Sequence, residues 1–88
     1  VPALLALSKT YNRIAAVYEC TNKTEEAAKY YRQTLEIQRL ILPPDHPHIA
    51  SSYNNIGCIQ HKAQHYQNAL LYFRLCLDIR KKILPSNH

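Results

Sequence analysis

The sequence predicts an all-α protein, an α-solenoid of two antiparallel helix hairpins, and three observations predict it. The first is an internal repeat at an offset of 42 residues: Tyr11, Asn12, Ile14, Ala27, Tyr30 and Arg32 recur as Tyr53, Asn54, Ile56, Ala69, Tyr72 and Arg74. Leu35, Ile37, Ile41, Leu42, Pro43 and His46 likewise recur as Leu77, Ile79, Ile83, Leu84, Pro85 and His88. A period in this range marks units that bury their apolar faces only against their neighbours. The second is the helical spacing of apolar residues within each unit. The third is punctuation: there is one Gly, and the five prolines at 2, 43, 44, 47 and 85 leave long uninterrupted helix-forming stretches. The units divide as residues 1–44 and 45–88, the latter including the start of a further repeat. Leu84-Pro85-Ser86-Asn87-His88 restates Leu42-Pro43-Pro44-Asp45-His46, and Val1 opens part-way into an apolar pattern, so the chain reads as a fragment of a longer array.

The first helix is expected over about 3–20, with Leu7, Tyr11, Ile14, Ala15 and Tyr18 on one stripe. Asn22-Lys23-Thr24 breaks it. Thr24 is the expected N-cap of the second helix, and Glu25 and Glu26 complement the dipole of its first turn. That helix runs to about Leu42 with Ala27, Tyr31, Thr34, Leu35 and Leu42 inward. Pro43-Pro44-Asp45-His46-Pro47 ends it, because a residue before proline resists the α region. Asp45 or His46 then caps a third helix over about 47–63, with Pro47 in the first turn, where its missing N–H is no loss. Ile49, Tyr53, Ile56, Gly57 and Ile59 form its stripe. After Gln64-His65 a fourth helix covers about 66–84, with Ala69, Phe73, Cys76, Leu77 and Leu84 inward. Small residues (Ala15 or Gly57, Ala27 or Ala69) stand opposite large ones (Tyr11 or Tyr53, Tyr31 or Phe73), the alternation by which antiparallel helices interlock.

Bulk properties narrow the function. Eighty-eight residues hold one domain at most. No apolar run approaches the roughly 20 residues of a membrane span, so a soluble chain is expected. Three cysteines without a CxxC pair point away from a disulfide framework and toward a reducing, cytoplasmic compartment. The net charge of +5 contains no long basic run; Arg80-Lys81-Lys82 is the densest patch and sits where cations complement a helix C-terminus, so nucleic acid is not an expected partner. His61 and His65 have a chelating spacing, but the third helix ends between them and no third ligand is evident. Neither Cys20 nor Cys58 has an obvious base beside it, and the single glycine lies inside a helix and cannot build a phosphate-cradling loop. No cofactor, metal or catalytic group is therefore expected.

Tyr53-x-x-Ile56-Gly57 followed by Tyr66, Ala69, Phe73 and Cys76 resembles the tetratricopeptide repeat, and Tyr11, Ile14, Ala15, Ala27, Tyr31 and Thr34 supply the same pattern in the first unit. The 42-residue spacing exceeds that repeat's usual period of about 34 residues. With Asp45-His46-Pro47-x-Ile49-Ala50, Tyr53-Asn54-Asn55-Ile56 and Leu77-x-Ile79-Arg80, it resembles the kinesin light chain type. Asn22 and Gln64 occupy the turn position usually held by Gly, which predicts looser hairpin turns.

The resemblance implies a concave wall lined by the first helix of each hairpin, along which a linear peptide or partner protein runs. The residues on that wall are then Lys9, Asn12, Ala16, Glu19 and Cys20, followed by Ser51, Asn54, Cys58, His61 and Lys62, with Arg13 and Asn55 at its rim. Asn12 and Asn54 match an Asn that contacts peptide in related grooves; an amide donates and accepts at once and so grips a main chain irrespective of side chains. Lys9 and Lys62 favour an acidic partner, and Glu19 opposes them locally. The expected function is a scaffold or adaptor module, not an enzyme, with flanking repeats of the same chain as further contacts. Two other readings remain. One is a structural spacer or oligomerisation array; the other is the recruiting appendage of an enzyme such as an ADP-ribosyltransferase, with catalysis outside this chain. Two hairpins bury few interfaces, so marginal stability in isolation is expected.

Overall fold

A computed structural model describes residues 2–84 of the chain. It contains α1 (Pro2–Cys20), α2 (Thr24–Ile41), α3 (Pro47–Lys62) and α4 (Tyr66–Ile83). Helix α1 packs on α2 and α3 on α4, and the two hairpins join through α2 and α3. The described part is a slab of 40 × 34 × 17 Å, about two helix layers thick. The expected opening of a third unit at Pro85–His88 lies outside the described residues.

Both hairpin turns close in the same way. Asn22 and Gln64 take left-handed φ values of 63° and 64°. In the first turn Lys23 N–H donates to Tyr18 O (2.8 Å) and Asn22 N–H to Glu19 O (3.2 Å). In the second, His65 N–H donates to Gln60 O (2.8 Å) and Gln64 N–H to His61 O (3.0 Å). These are Schellman closures, which satisfy the last carbonyls of each first helix. The turns are thus tight rather than loose, because two backbone hydrogen bonds offset the strain of a left-handed Gln. Thr24 is not the cap: Lys23 holds that position without a side-chain bond, and Thr24 is the first helical residue. The Schellman closure places the backbone one residue earlier than an N-cap at Thr24 would need. Before α3 the cap is His46, whose Nδ1 accepts from His48 N–H at 3.0 Å, with Pro47 in the first turn.

The core centres on the junction between hairpins. Ile49, Ile56 and Ile59 of α3 are fully buried against α2 and α4, each stabilising by roughly 2 kcal/mol through apolar burial. Ala15, Ala27 and Tyr31 fill the first hairpin. Gly57 lies under the ring of Phe73, where a Cβ would stand 2.7 Å from Phe73 Cε1. The expected small-against-large contact is therefore a close one.

Several residues expected inward are exposed: Leu7 in α1, Leu77 in α4 and Leu84 just beyond it. The cause is position in the stack. Leu7 is the counterpart of Ile49, which is 1% exposed because the preceding hairpin covers it; Leu7 itself is 41% exposed. At the other end Leu35 is buried beneath α3, whereas its counterpart Leu77 is half exposed.

Candidate functional site

Helix periodicity brings Leu5, Ser8, Lys9, Asn12 and Arg13 onto one face of α1, and His48, Ser51, Ser52 and Asn55 onto one face of α3. Between these faces lies a cleft of about 270 Å³ floored by Gln38 of α2. Its lining includes Lys9, Arg13 and His48 and no carboxylate, so the site favours an anion. At the floor, Ser52 Oγ donates to Gln38 Oε1, tying α3 to α2. Ser8 is buried, its hydroxyl donating to Leu5 O at 2.7 Å, and the single Thr34 hydroxyl proton is shared between Tyr30 O at 3.0 Å and Ser8 O at 3.3 Å. This network holds the cleft walls in place.

Further along the same pair of helices the seam is closed by an ion pair. Lys62 Nζ stands 3.1 Å from Glu19 Oε2, and Tyr31 OH donates to Glu19 Oε1 at 2.8 Å. Glu19 thus ties α1 to α2 and to α3. Six residues separate it from Arg13, about 9 Å along the helix. Burial, then the hydrogen bond to Glu19, pushes the Tyr31 phenol well above its usual 10.0. Burial also pushes the Cys58 thiol up, with Glu19 as the next cause and Lys62 acting against it. A thiol held protonated in this way is a poor nucleophile. No group of three His, Cys, Asp or Glu able to hold a metal occurs among the described residues.

Of the residues expected on the wall, Lys9, Asn12 and Ser51 line the cleft. Glu19 and Lys62 are not opposed free charges; they neutralise each other. Cys58 is half-buried, and Cys20 and Ala16 are exposed. His61 packs edge-on against Tyr66, ring centroids 5.6 Å apart. Asn54 is half-buried beyond the cleft, and its neighbour Asn55 lines it instead. Arg13 and Asn55, expected only at the rim, are lining residues, and His48, exposed in the first turn of α3, is another. Sequence reasoning missed Ser8, Gln38 and Ser52. Their signal was available: a polar residue at a core register position of each helix, namely Ser8 seven before Ala15, Gln38 three after Leu35, and Ser52 three after Ile49.

No described helix is long and apolar enough to cross a membrane. No curated protein matches the sequence. The tetratricopeptide repeat family matches it over residues 6–82. Repeats of this family are non-catalytic and generally mediate protein–protein interactions. A match across nearly the whole chain, on two hairpins with the same turn geometry, places it: the chain belongs to the tetratricopeptide repeat family.

Proposed function

We propose that the chain is a scaffold or adaptor module of the kinesin light chain type, acting in the cytoplasm, that holds a linear peptide along the seam between α1 and α3. The observation that carries this reading is the cleft: two helices present polar side chains to a common space, and none of them is acidic. Asn12 and Asn55 supply donors and acceptors for a peptide main chain, with Asn54 in the equivalent register of the second unit. Lys9 and Arg13 select an acidic residue in the partner. The Glu19–Lys62 pair bounds the seam, and a carboxylate in the ligand competes with Glu19 for Lys62. Little surface is enclosed, so affinity is expected to be micromolar at best, about −8 kcal/mol.

The test is a screen of acidic and aromatic linear peptides against the chain together with its adjoining repeats. Saturable binding that Asn12→Ala and Asn55→Ala weaken supports the reading. If both substitutions together leave the affinity of an identified peptide unchanged, the main-chain mechanism is wrong.

A second reading, a spacer or oligomerisation array, is favoured by one observation. Leu4, Leu7 and Val17 on α1, and Leu70, Leu71 and Leu77 on α4, are all exposed. Sedimentation of the chain over a range of concentrations separates the two readings: a strict monomer removes the second.

A further inference from the structure

We propose that the cleft between α1 and α3 is a subsite for a phosphorylated side chain of the partner, held by Lys9, Arg13 and the amide of Gln38. It rests on the groove-binding reading above and specifies the chemistry of one anchor residue within it.

Charge is the first argument. Lys9 and Arg13 sit one helical turn apart on α1, and His48 faces them from α3. Glu19, the acidic residue of the same seam, has one oxygen engaged by Tyr31 and the other by Lys62. The positive potential in the cleft is therefore not cancelled from within.

Gln38 is the second and independent argument. It is 9% exposed, and its Oε1 accepts a hydrogen bond from Ser52 Oγ. Its Nε2 has no hydrogen-bond partner among the described residues, and the side chain forms part of the cleft floor. Nε2 is not sealed from solvent, so in the free chain it meets the water of the cleft, and an acceptor on a ligand can replace that water. The counterpart of Gln38 in the second hairpin is Arg80, which is exposed, so the amide belongs to this junction and is not a general feature of the repeat.

Stoichiometry of donors then separates phosphate from carboxylate. Lysine brings three N–H groups, arginine five and the Gln38 amide two, with the Ser51 hydroxyl and the Asn12 and Asn55 amides at the walls. A carboxylate offers two oxygens and one charge. A phosphate monoester offers three acceptor oxygens and a charge of about −1.5 to −2, and arginine meets it with a planar two-pronged contact. The volume agrees: at about 30 Å³ per water, the cleft has room for a tetrahedral group and the stem that carries it. Leu5 supplies an apolar side for that stem.

The experiment is an NMR titration of the isotope-labelled full chain with N-acetyl-phosphoserine amide, N-acetyl-glutamate amide and N-acetyl-serine amide. The phosphoserine probe should give saturable shifts concentrated on Arg13, Asn55 and the Gln38 side-chain amide. The glutamate probe should bind about tenfold more weakly, the ratio that one charge-assisted hydrogen bond supplies, and the serine probe not at all. Arg13→Gln and Lys9→Gln, both at exposed positions, should each weaken the phosphoserine probe about tenfold while leaving the fold intact. Gln38→Met keeps the volume and removes the donors, and should erase the preference over glutamate. Equal binding of phosphoserine and glutamate probes overturns the proposal, as do shifts scattered over all lysines and arginines. A peptide that binds in an Asn12-dependent way while the phosphoserine probe leaves the cleft silent removes the subsite and keeps the groove. Cleft shifts that Asn12→Ala leaves unchanged, beside a peptide that binds elsewhere, would keep the subsite and remove the groove.

Discussion

Gly57→Ala tests the packing logic of the second hairpin, because two effects of similar size oppose each other there. In an ordinary helix interior the change stabilises by about 1 kcal/mol, through lower backbone entropy in the unfolded chain. At this site the new Cβ would stand 2.7 Å from Phe73 Cε1, 2.8 Å from Cδ1 and 3.1 Å from Cζ. Carbon atoms rest at about 3.5–4.0 Å, so the ring must retreat by about 1 Å. Rotation of the ring about its Cβ–Cγ axis moves Cδ1 and Cε1 but leaves Cζ, which lies on that axis, in place, so it relieves the contact only in part. Overpacking of this kind costs about 1–3 kcal/mol, leaving a net loss of about 1 kcal/mol. For a chain of this size that lowers Tm by roughly 4–8 °C. The assay is thermal and urea denaturation of four proteins: the parent, Gly57→Ala, Phe73→Leu and the double variant. The alanine should destabilise beside Phe73 and stabilise in the Phe73→Leu background, where the helix preference acts unopposed. The first hairpin carries this pair as Ala15 and Tyr31, both buried, which shows that an aromatic seat adapted to a methyl exists in this fold. An identical effect of Gly57→Ala in both backgrounds would refute the contact as its cause.

Three further outcomes are expected. Tyr31→Phe removes the hydrogen bond to Glu19 and should cost about 1 kcal/mol in urea denaturation, less than a fully buried charged bond because Glu19 is partly hydrated. The raised Tyr31 value means that the folded state keeps its proton longer than the unfolded one. Its contribution is complete below pH 10 and is lost as pH rises beyond it, so the Phe variant should show a flatter alkaline decline in stability. Gln64→Gly relieves a left-handed non-glycine residue at about 1–2 kcal/mol and gives back about half in unfolded-state entropy; Tm should rise by a few degrees, and a fall would show that the Gln side chain itself supports the turn. Thiol labelling at neutral pH should proceed in the order Cys20, Cys58, Cys76, following exposure and the raised Cys58 value, and Glu19→Gln should speed Cys58 by removing a nearby negative charge; faster labelling of Cys58 than Cys20 would contradict this order.

Much of the site was legible because helical periodicity is local. The resemblance named the first helices as a wall, spacing placed Lys9 and Asn12 of α1 and Ser51 of α3 on it, and these three do share a cleft. The choice between Asn54 and Asn55 was not legible. They differ by about 100° around α3, and which of them faces α1 depends on how the second hairpin rotates as it docks. The Glu19–Lys62 contact was hidden for the same reason, since 43 residues separate its partners and only the docking of α3 beside α1 brings them together.

What the sequence determined by itself is the repeating unit. The helices and the proline breaks between them are set by short-range chemistry, and they appear where that chemistry requires. Tertiary structure alone decided what equivalent residues do. Val17 and Ile59 occupy the same position in their units, yet one is 63% exposed and the other 1%. The same stacking brought Gln38 and Ser52, polar residues in the inward register of different hairpins, together as the floor of a cleft. A helix encodes which of its faces is apolar, but a face becomes core or binding wall only when a second hairpin covers it, and that depends on contacts between residues far apart in the chain.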